Sequence, residues 1–197
     1  MGGTPTPLPV PNPGPTAATP GPHPGPEPGP SALGQEVPTN PLFGKDAVFA
    51  AMPDNAAVRA LAGLATDAKW DRRELTITVA KEDIIAACEA AKAAGYNFFE
   101  DVTAVDWYPQ EPRIKLAYHI VSHTLKQRLR LAVQLSSSDL ALDSITPVWP
   151  SANFYEREVF DLFGVHFGGH PRLTRIMMPD DWQGHPLRKD YPVEGYR

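Results

Sequence analysis

Between Gly169 and Pro192 the sequence GHPRLTRIMMPDDWQGHPLRKDYP sets down the triplet Gly-His-Pro twice, with His170 and His185 fifteen positions apart. Arg172, Arg175, Arg188 and Lys189 stand around the two triplets, offset by Asp180, Asp181 and Asp190. Side chains of these types could hold a metal or an anion. Just upstream, Glu156, Arg157, Glu158 and Asp161 add three acids and an arginine. A pair of carboxylates there could in principle work as general acid and base.

Spacing argues against each of these chemistries. His166 and His170 are four apart, as two helical metal ligands would be. However, Gly168, Gly169 and Pro171 forbid a helix there, and no third ligand lies at a motif spacing. Glu156 and Glu158 are two apart, so on a helix they point to different sides and do not share a substrate. An arginine cluster can bind phosphate, but no glycine-rich loop accompanies this one. The triplets are better explained as backbone devices. Gly permits positive φ, Pro fixes φ at about −65°, and Pro biases the His before it toward extended backbone. Each triplet is thus a rigid corner that aims an imidazole. A mixed-sign segment with Trp182 and Tyr191 as aromatic anchors reads as an extended docking arm. The alternative is a loop folded back on its own domain.

The elements that position these residues follow from periodicity. ANFYEREVFDLFG, after Ser151 as N-cap, predicts a helix that ends at Gly164. Its apolar stripe is Ala152, Tyr155, Val159 and Leu162, yet Phe154, Phe160 and Phe163 lie off it. Acids interleaved with apolar residues around the whole circumference are unlike an ordinary surface helix. They are expected to be pinned between packed surfaces and satisfied by partners. Earlier, DNAAVRALAGLA from Asp54 predicts a short helix, and RRELTITVA predicts a strand with Leu75, Ile77 and Val79 inward. A shorter strand is expected near Ala68 to Trp70. KEDIIAACEAAKAAG predicts a helix that stops at Gly95, with Ile84, Ile85, Cys88 and Ala91 as its stripe. Strands follow from Phe98, from Arg113 and from Gln127, the last two joined as a hairpin near Thr124 and Leu125. His119 and His123 fall on the polar side of their strand, facing solvent or a partner. SSSDLALDSITPVWP reads as a turn with a short helical piece. The expected fold is α+β: a two-layer domain of a mixed sheet with helices on one face, then a short helix and an extended C-terminal arm.

Composition sets the remaining bounds. Of 197 residues, most of the 23 prolines lie at or before Pro41, and no Lys or Arg precedes Lys45. Residues 1–44 therefore read as a disordered Pro-rich tail, 45–150 as the core domain, and 151–197 as the helix and arm. GPHPGPEPGP repeats Gly every fourth residue, which excludes collagen. The start lacks the basic and apolar runs of a signal peptide, and no window reaches the roughly 18 to 20 apolar residues of a membrane span. A net charge of −5 speaks against nucleic acid as the main partner. The single Cys88 allows no internal disulfide and no cysteine-held zinc or iron–sulfur centre on this chain.

The run WPSANFYEREVFDLFGVHFGGHPRLTRIMMPDDWQGHPLRKDYP, Trp149 to Pro192, resembles the C-terminal signature of the C-type subunit of the respiratory NADH–quinone oxidoreductase, the 30-kilodalton subunit of complex I. It carries ERE-x-x-D-x-x-G, F-x-G-H-P and G-H-P-L-R-K-D-Y-P in the family's order. The likeness is looser over about Asp54 to Leu135, where the helix–strand order and TAVDW (Thr103 to Trp107) agree, and it does not reach the tail. The resemblance implies a peripheral-arm subunit on the cytoplasmic side of the bacterial cell membrane, with membrane contact only through the complex. Its partners would be chiefly the D-type subunit and the neighbouring iron–sulfur subunits. FMN, the iron–sulfur clusters and the quinone would sit on other subunits, with no cofactor, metal or catalytic residue on this chain. Carried over by position, Glu156, Arg157, Glu158, Asp161, His170, Arg175, His185, Arg188, Lys189 and Asp190 would be docking residues. The chain stops five residues after Pro192, which fits the separate form rather than a fusion with the D-type neighbour. The alternative is the similar subunit of a membrane-bound hydrogenase or an F420-type dehydrogenase. A metal-dependent hydrolase is a distant third.

Overall fold

The computed structural model describes residues 38–195. Strands β1 (Leu42–Phe43), β2 (Ala65–Asp71), β3 (Glu74–Val79), β4 (Phe98–Asp106), β5 (Ile114–Ser122) and β6 (Gln127–Leu135) form one sheet in the order β1-β2-β3-β6-β5-β4. All neighbours are antiparallel except β3 and β6, so the sheet is mixed. From β3 the chain turns at Lys81–Asp83 into helix α3 (Ile84–Ala93) and crosses to the far edge at β4. It then meanders back through β5 to β6. Helices α1 (Lys45–Ala51) and α2 (Ala56–Leu61) precede this crossover, and α4 (Ala152–Phe163) follows the sheet. Strands β7 (Ala141–Asp143) and β8 (His166–Gly168) form a small parallel pair on either side of α4 in sequence.

Alternation decides which side of the sheet is covered. Leu75, Ile77 and Val79 of β3, Ile114, Leu116, Tyr118 and Ile120 of β5, and Leu129, Leu131, Val133 and Leu135 of β6 are buried together. The helices lay Val48, Leu61, Ile84, Cys88, Ala91, Ala152 and Val159 into the same core. The fold is the expected α+β arrangement with the helices on one face. The other face is polar, and its histidine is not left to solvent. His119 Nδ1 donates to Asp101 Oδ1 at 2.6 Å, and its Nε2 accepts from Arg130 Nε at 2.9 Å. Arg130 also reaches Glu74 at 2.5 Å. His123 packs against the ring of Phe98, 5.3 Å away.

Several local expectations are corrected. The helix expected from Asp54 begins at Ala56 and is capped by Asn55, its side chain accepting from the N–H groups of Ala57 and Val58. Ser151 makes no capping hydrogen bond to α4, because its own backbone is already helical. The 136–150 segment holds β7 and turns rather than a helical piece. Strand β1 lies within the stretch assigned to the tail: Gly44 N–H donates to Ala68 O, and the Trp70 indole donates to Pro38 O. The rest of the tail, residues 1–37, lies outside the described residues. Beyond α4 the chain is not extended. After β8 it runs in successive turns laid against its own domain, the alternative weighed from the sequence.

Candidate functional site: the anchored C-terminal segment

Two carboxylates of α4 organise the segment that follows it. Asp161 is completely buried, and four donors surround it. Arg175 Nη1 donates to Oδ1 at 2.5 Å, while Ile176, Met177 and Met178 donate backbone N–H to Oδ2 at 3.0, 2.8 and 2.8 Å. Burial pushes this carboxyl up, but the three N–H groups and the guanidinium outweigh it and hold it below its ordinary value. Three consecutive amides converging on one oxygen force a tight turn at 176–178, which starts the return of the chain.

The second Gly-His-Pro triplet closes the C-terminus of α4. A helix leaves its last four carbonyls without intrahelical donors, and here each one finds a donor. Gly164, left-handed at φ 76°, donates to Phe160 O at 2.9 Å. His185 Nδ1 donates to Asp161 O at 2.9 Å, Leu187 N–H to Leu162 O at 3.1 Å, and Arg188 Nε to Phe163 O at 2.6 Å. Arg175 reinforces the closure by also donating to Trp182 O and Gly184 O. Cationic donors at a helix C-terminus also complement its dipole. The second corner therefore aims its imidazole at a helix end.

Glu156, the other buried carboxylate, ties α4 to the loop before it. Its Oε1 accepts from Ile145 N–H at 2.8 Å and its Oε2 from the Ser144 hydroxyl at 2.5 Å. Burial pushes its pKa up to about 7, against the pull of these two donors. His170, from the first triplet, lies with Nε2 3.9 Å from this carboxylate and donates to Asn153 O at 3.2 Å. Its Nδ1 accepts the Arg172 N–H at 3.0 Å. Burial, with some help from Arg157, holds the His170 ring below the ordinary histidine value, and the Asn153 carbonyl opposes this. Arg157 anchors the start of the following segment to α4 by donating to Thr174 O and Arg175 O.

A third anchor joins the end of the segment to the sheet. Arg113 Nε and Nη2 grip both oxygens of Asp106 at 2.9 and 2.8 Å, while its Nη1 and Nη2 reach Asp190 at 2.9 and 2.5 Å. Lys189 N–H and Tyr108 N–H also donate to Asp106. The Arg113 guanidinium holds the Asp106 carboxyl far below the usual carboxylate range, and it lowers Asp190 as well.

Of the ten residues singled out in the sequence, nine are thus drawn into contacts within the chain, Lys189 through its backbone. Glu158 is not: it is exposed, and it has no hydrogen bond or ion pair among the described residues. Glu156 and Glu158 do point apart, as their spacing requires. Ser144, Asp106 and Arg113 were missed. Asp106 stands inside TAVDW, but nothing local signals that Arg113 pairs with a residue 77 positions on. Among the described residues no group of three or more His, Cys, Asp or Glu could hold a metal ion, and no helix is long and apolar enough to cross a membrane.

The family profile described as "Respiratory-chain NADH dehydrogenase, 30 Kd subunit" matches residues 77–197. A protein of Citrifermentans bemidjiense named as the C-type subunit of NADH-quinone oxidoreductase is 48% identical over 125 residues, covering 63% of this chain and 78% of that one. Its namesake in Geobacter sulfurreducens is 49% identical over 131 residues, covering 66% and 81%. Among solved structures, a chain of the membrane-bound sulfane sulfur reductase, an archaeal respiratory membrane complex, superposes with a TM-score of 0.60 at 27% identity. That match covers 68% of this chain and 82% of its own.

Proposed function

The chain belongs to the respiratory-chain NADH dehydrogenase 30 Kd subunit family, and from that premise we propose that it acts as the C-type subunit of an NADH–quinone oxidoreductase. In that enzyme electrons pass from NADH through FMN and iron–sulfur clusters to a quinone, coupled to proton translocation. This chain is a component without a redox group of its own. It scaffolds the quinone-site subunits from the peripheral arm, on the cytoplasmic side of the bacterial cell membrane, with the D-type subunit and the neighbouring iron–sulfur subunits as its contacts.

One observation carries the structural rather than catalytic role. Most polar side chains of the signature are engaged with one another and with backbone carbonyls. What they build is a rigid surface. Its outward side presents Glu158, Phe154 and Met177, the latter two 61% and 64% exposed, beside α4 and the 176–178 turn. Docking therefore falls to these outward groups, while Glu156, Asp161, Arg175, His185 and Arg188 hold them in place. The likeness to a chain of the sulfane sulfur reductase shows that the fold also serves other membrane-bound respiratory complexes. At 48–49% identity, the NADH-linked relatives carry more weight.

The test is a native gel of mildly solubilised membranes, stained for NADH dehydrogenase activity and probed for this chain. Co-migration with a large active band is expected. Glu158→Ala should leave the chain folded and lower its share in that band severalfold, since exposed charges at an interface act on association rather than on the fold. A large band without NADH activity would instead assign the chain to a sister complex.

A further inference from the structure

We propose that the corner where β4 leaves the sheet is a second docking surface, for a neighbouring protein chain that presents an apolar side chain flanked by carboxylates. The proposal rests on the reading that this chain works inside a multi-subunit complex. It adds a surface centred on the end of β4, to which the signature contributes only Lys189 and Asp190.

Val105, Trp107 and Tyr108 fall within four residues at the end of β4 and are 46%, 47% and 48% exposed. β4 is an edge strand paired only with β5, so Val105 has a single cross-strand neighbour, Lys115. The helices lie on the opposite face of the sheet and leave this one bare. Solvent-facing edge positions in monomers usually carry polar residues, and a run of one aliphatic and two aromatic side chains there marks a contact surface.

The corner is also rigid before any partner arrives. Trp107 N–H donates to Arg113 O at 2.8 Å, and Tyr108 N–H donates to the Asp106 carboxylate at 2.9 Å. The Arg113 guanidinium sits 5.0 Å from the centre of the Tyr108 ring, itself clamped between Asp106 and Asp190. A backbone held in this way at both aromatic residues, with the Tyr108 ring also stacked on a clamped guanidinium, presents them at reduced entropic cost on binding.

Charge selects the partner. The carboxylates of the corner are engaged: Asp106 and Asp190 by Arg113, and Glu111 by the N–H groups of Arg113 and Ser137. The two cations beside it are not. Lys115 stands opposite Val105, and Lys189 hangs from the backbone that donates to Asp106. Neither side chain has an ion pair among the described residues. Apolar contact with two unpaired lysines near it, one opposite Val105 and one at the backbone beside Asp106, fits an apolar surface flanked by carboxylates. A second copy of this chain would bring the same lysines against these, which opposes self-association.

The experiment replaces the full-length chain in its own membranes with Trp107→Ser, and separately with the pair Lys115→Glu and Lys189→Glu. Its share in the large complex band is then read at rising salt. Thermal melting of each purified chain reports folding. Trp107→Ser is expected to lower the retained share about tenfold, as losing one buried aromatic anchor does. The double charge reversal should lower it at low salt and lose its effect as the rim is screened. If Trp107→Ser melts early, the two surface reversals decide alone. Wild-type retention by both variants would overturn this surface and leave the complex-membership reading standing. Absence of the wild-type chain from any large band would overturn both. Loss of a homodimer, or of binding to anionic vesicles, in place of complex retention would also overturn it, by assigning the corner another occupant.

Discussion

Glu156 is a fully buried carboxylate with no cation in hydrogen-bonding contact, held by one hydroxyl and one N–H. Its pKa rises from 4.5 to about 7. The folded chain therefore keeps a proton that the unfolded chain has already released. Stability from this group is highest below about 4.5, falls as pH climbs toward 7, and stays lower above it, by about 3 kcal/mol. His170 and His185 act in the opposite direction, because burial holds both below 6.5 and the unfolded chain takes their protons first. Glu156→Gln isolates the carboxylate. Its amide oxygen can still accept from Ile145, and its NH₂ can donate to Ser144, whose hydroxyl turns toward Thr146. The variant should match wild type in urea unfolding at pH 5 and exceed it by roughly 1–3 kcal/mol at pH 8. Equal differences at both pH values would mean that Glu156 is not the titrating group. The sequence disclosed that these acids needed partners, since they interrupt an apolar helix. It did not disclose which, because Ser144 and Ile145 lie in a loop without periodicity.

Strong periods made the elements legible, and short ones were lost. β3, β5, β6 and α3 were readable because each repeats its apolar spacing several times. α1 buries only Val48 in seven residues, and β7 and β8 are three residues each, too few for any period to show. The parallel β3–β6 pairing was out of reach as well, since it joins strands separated by a crossover. The C-terminal segment was read as extended because prolines and charges suppress periodicity. Its order comes from side chains that close a helix end, and no sequence period reports that. Gly164 is the hinge of this closure. A Cβ there would sit 2.6 Å from the His185 ring and 2.8 Å from Arg188 Nη2, on a backbone of φ 76°. Gly164→Ala should thus strain the turn and push away two of the donors that satisfy α4. A loss of about 1–3 kcal/mol is expected, with faster tryptic cleavage after Arg175 and Arg188. A variant as stable and as resistant as wild type would show that the closure adds little.

At the scale of the whole molecule, these anchors make the segment a preformed surface rather than one that folds on its partner. Preformed surfaces bind without the ordering cost that a disordered segment carries. Three anchors spread the attachment from one end to the other: Arg157 at Thr174, Asp161 at 176–178, and Arg113 at Asp190. The last is the most exposed to a single change, since Arg113 neutralises Asp106, whose side chain is only 2% accessible. Arg113→Ala leaves that carboxylate buried with no cation, a loss of the order of 3–5 kcal/mol when it is felt globally. The local consequence separates anchoring from simple destabilisation. Amide hydrogen exchange of the isolated chain should show residues 187–191 protected in the wild type and open in Arg113→Ala, while the Asp161-bound amides of 176–178 keep their protection. Uniform opening of 171–195 would make the segment one cooperative unit held by Arg113. Free exchange of that stretch in the wild type would mean that the surface forms only against its partner.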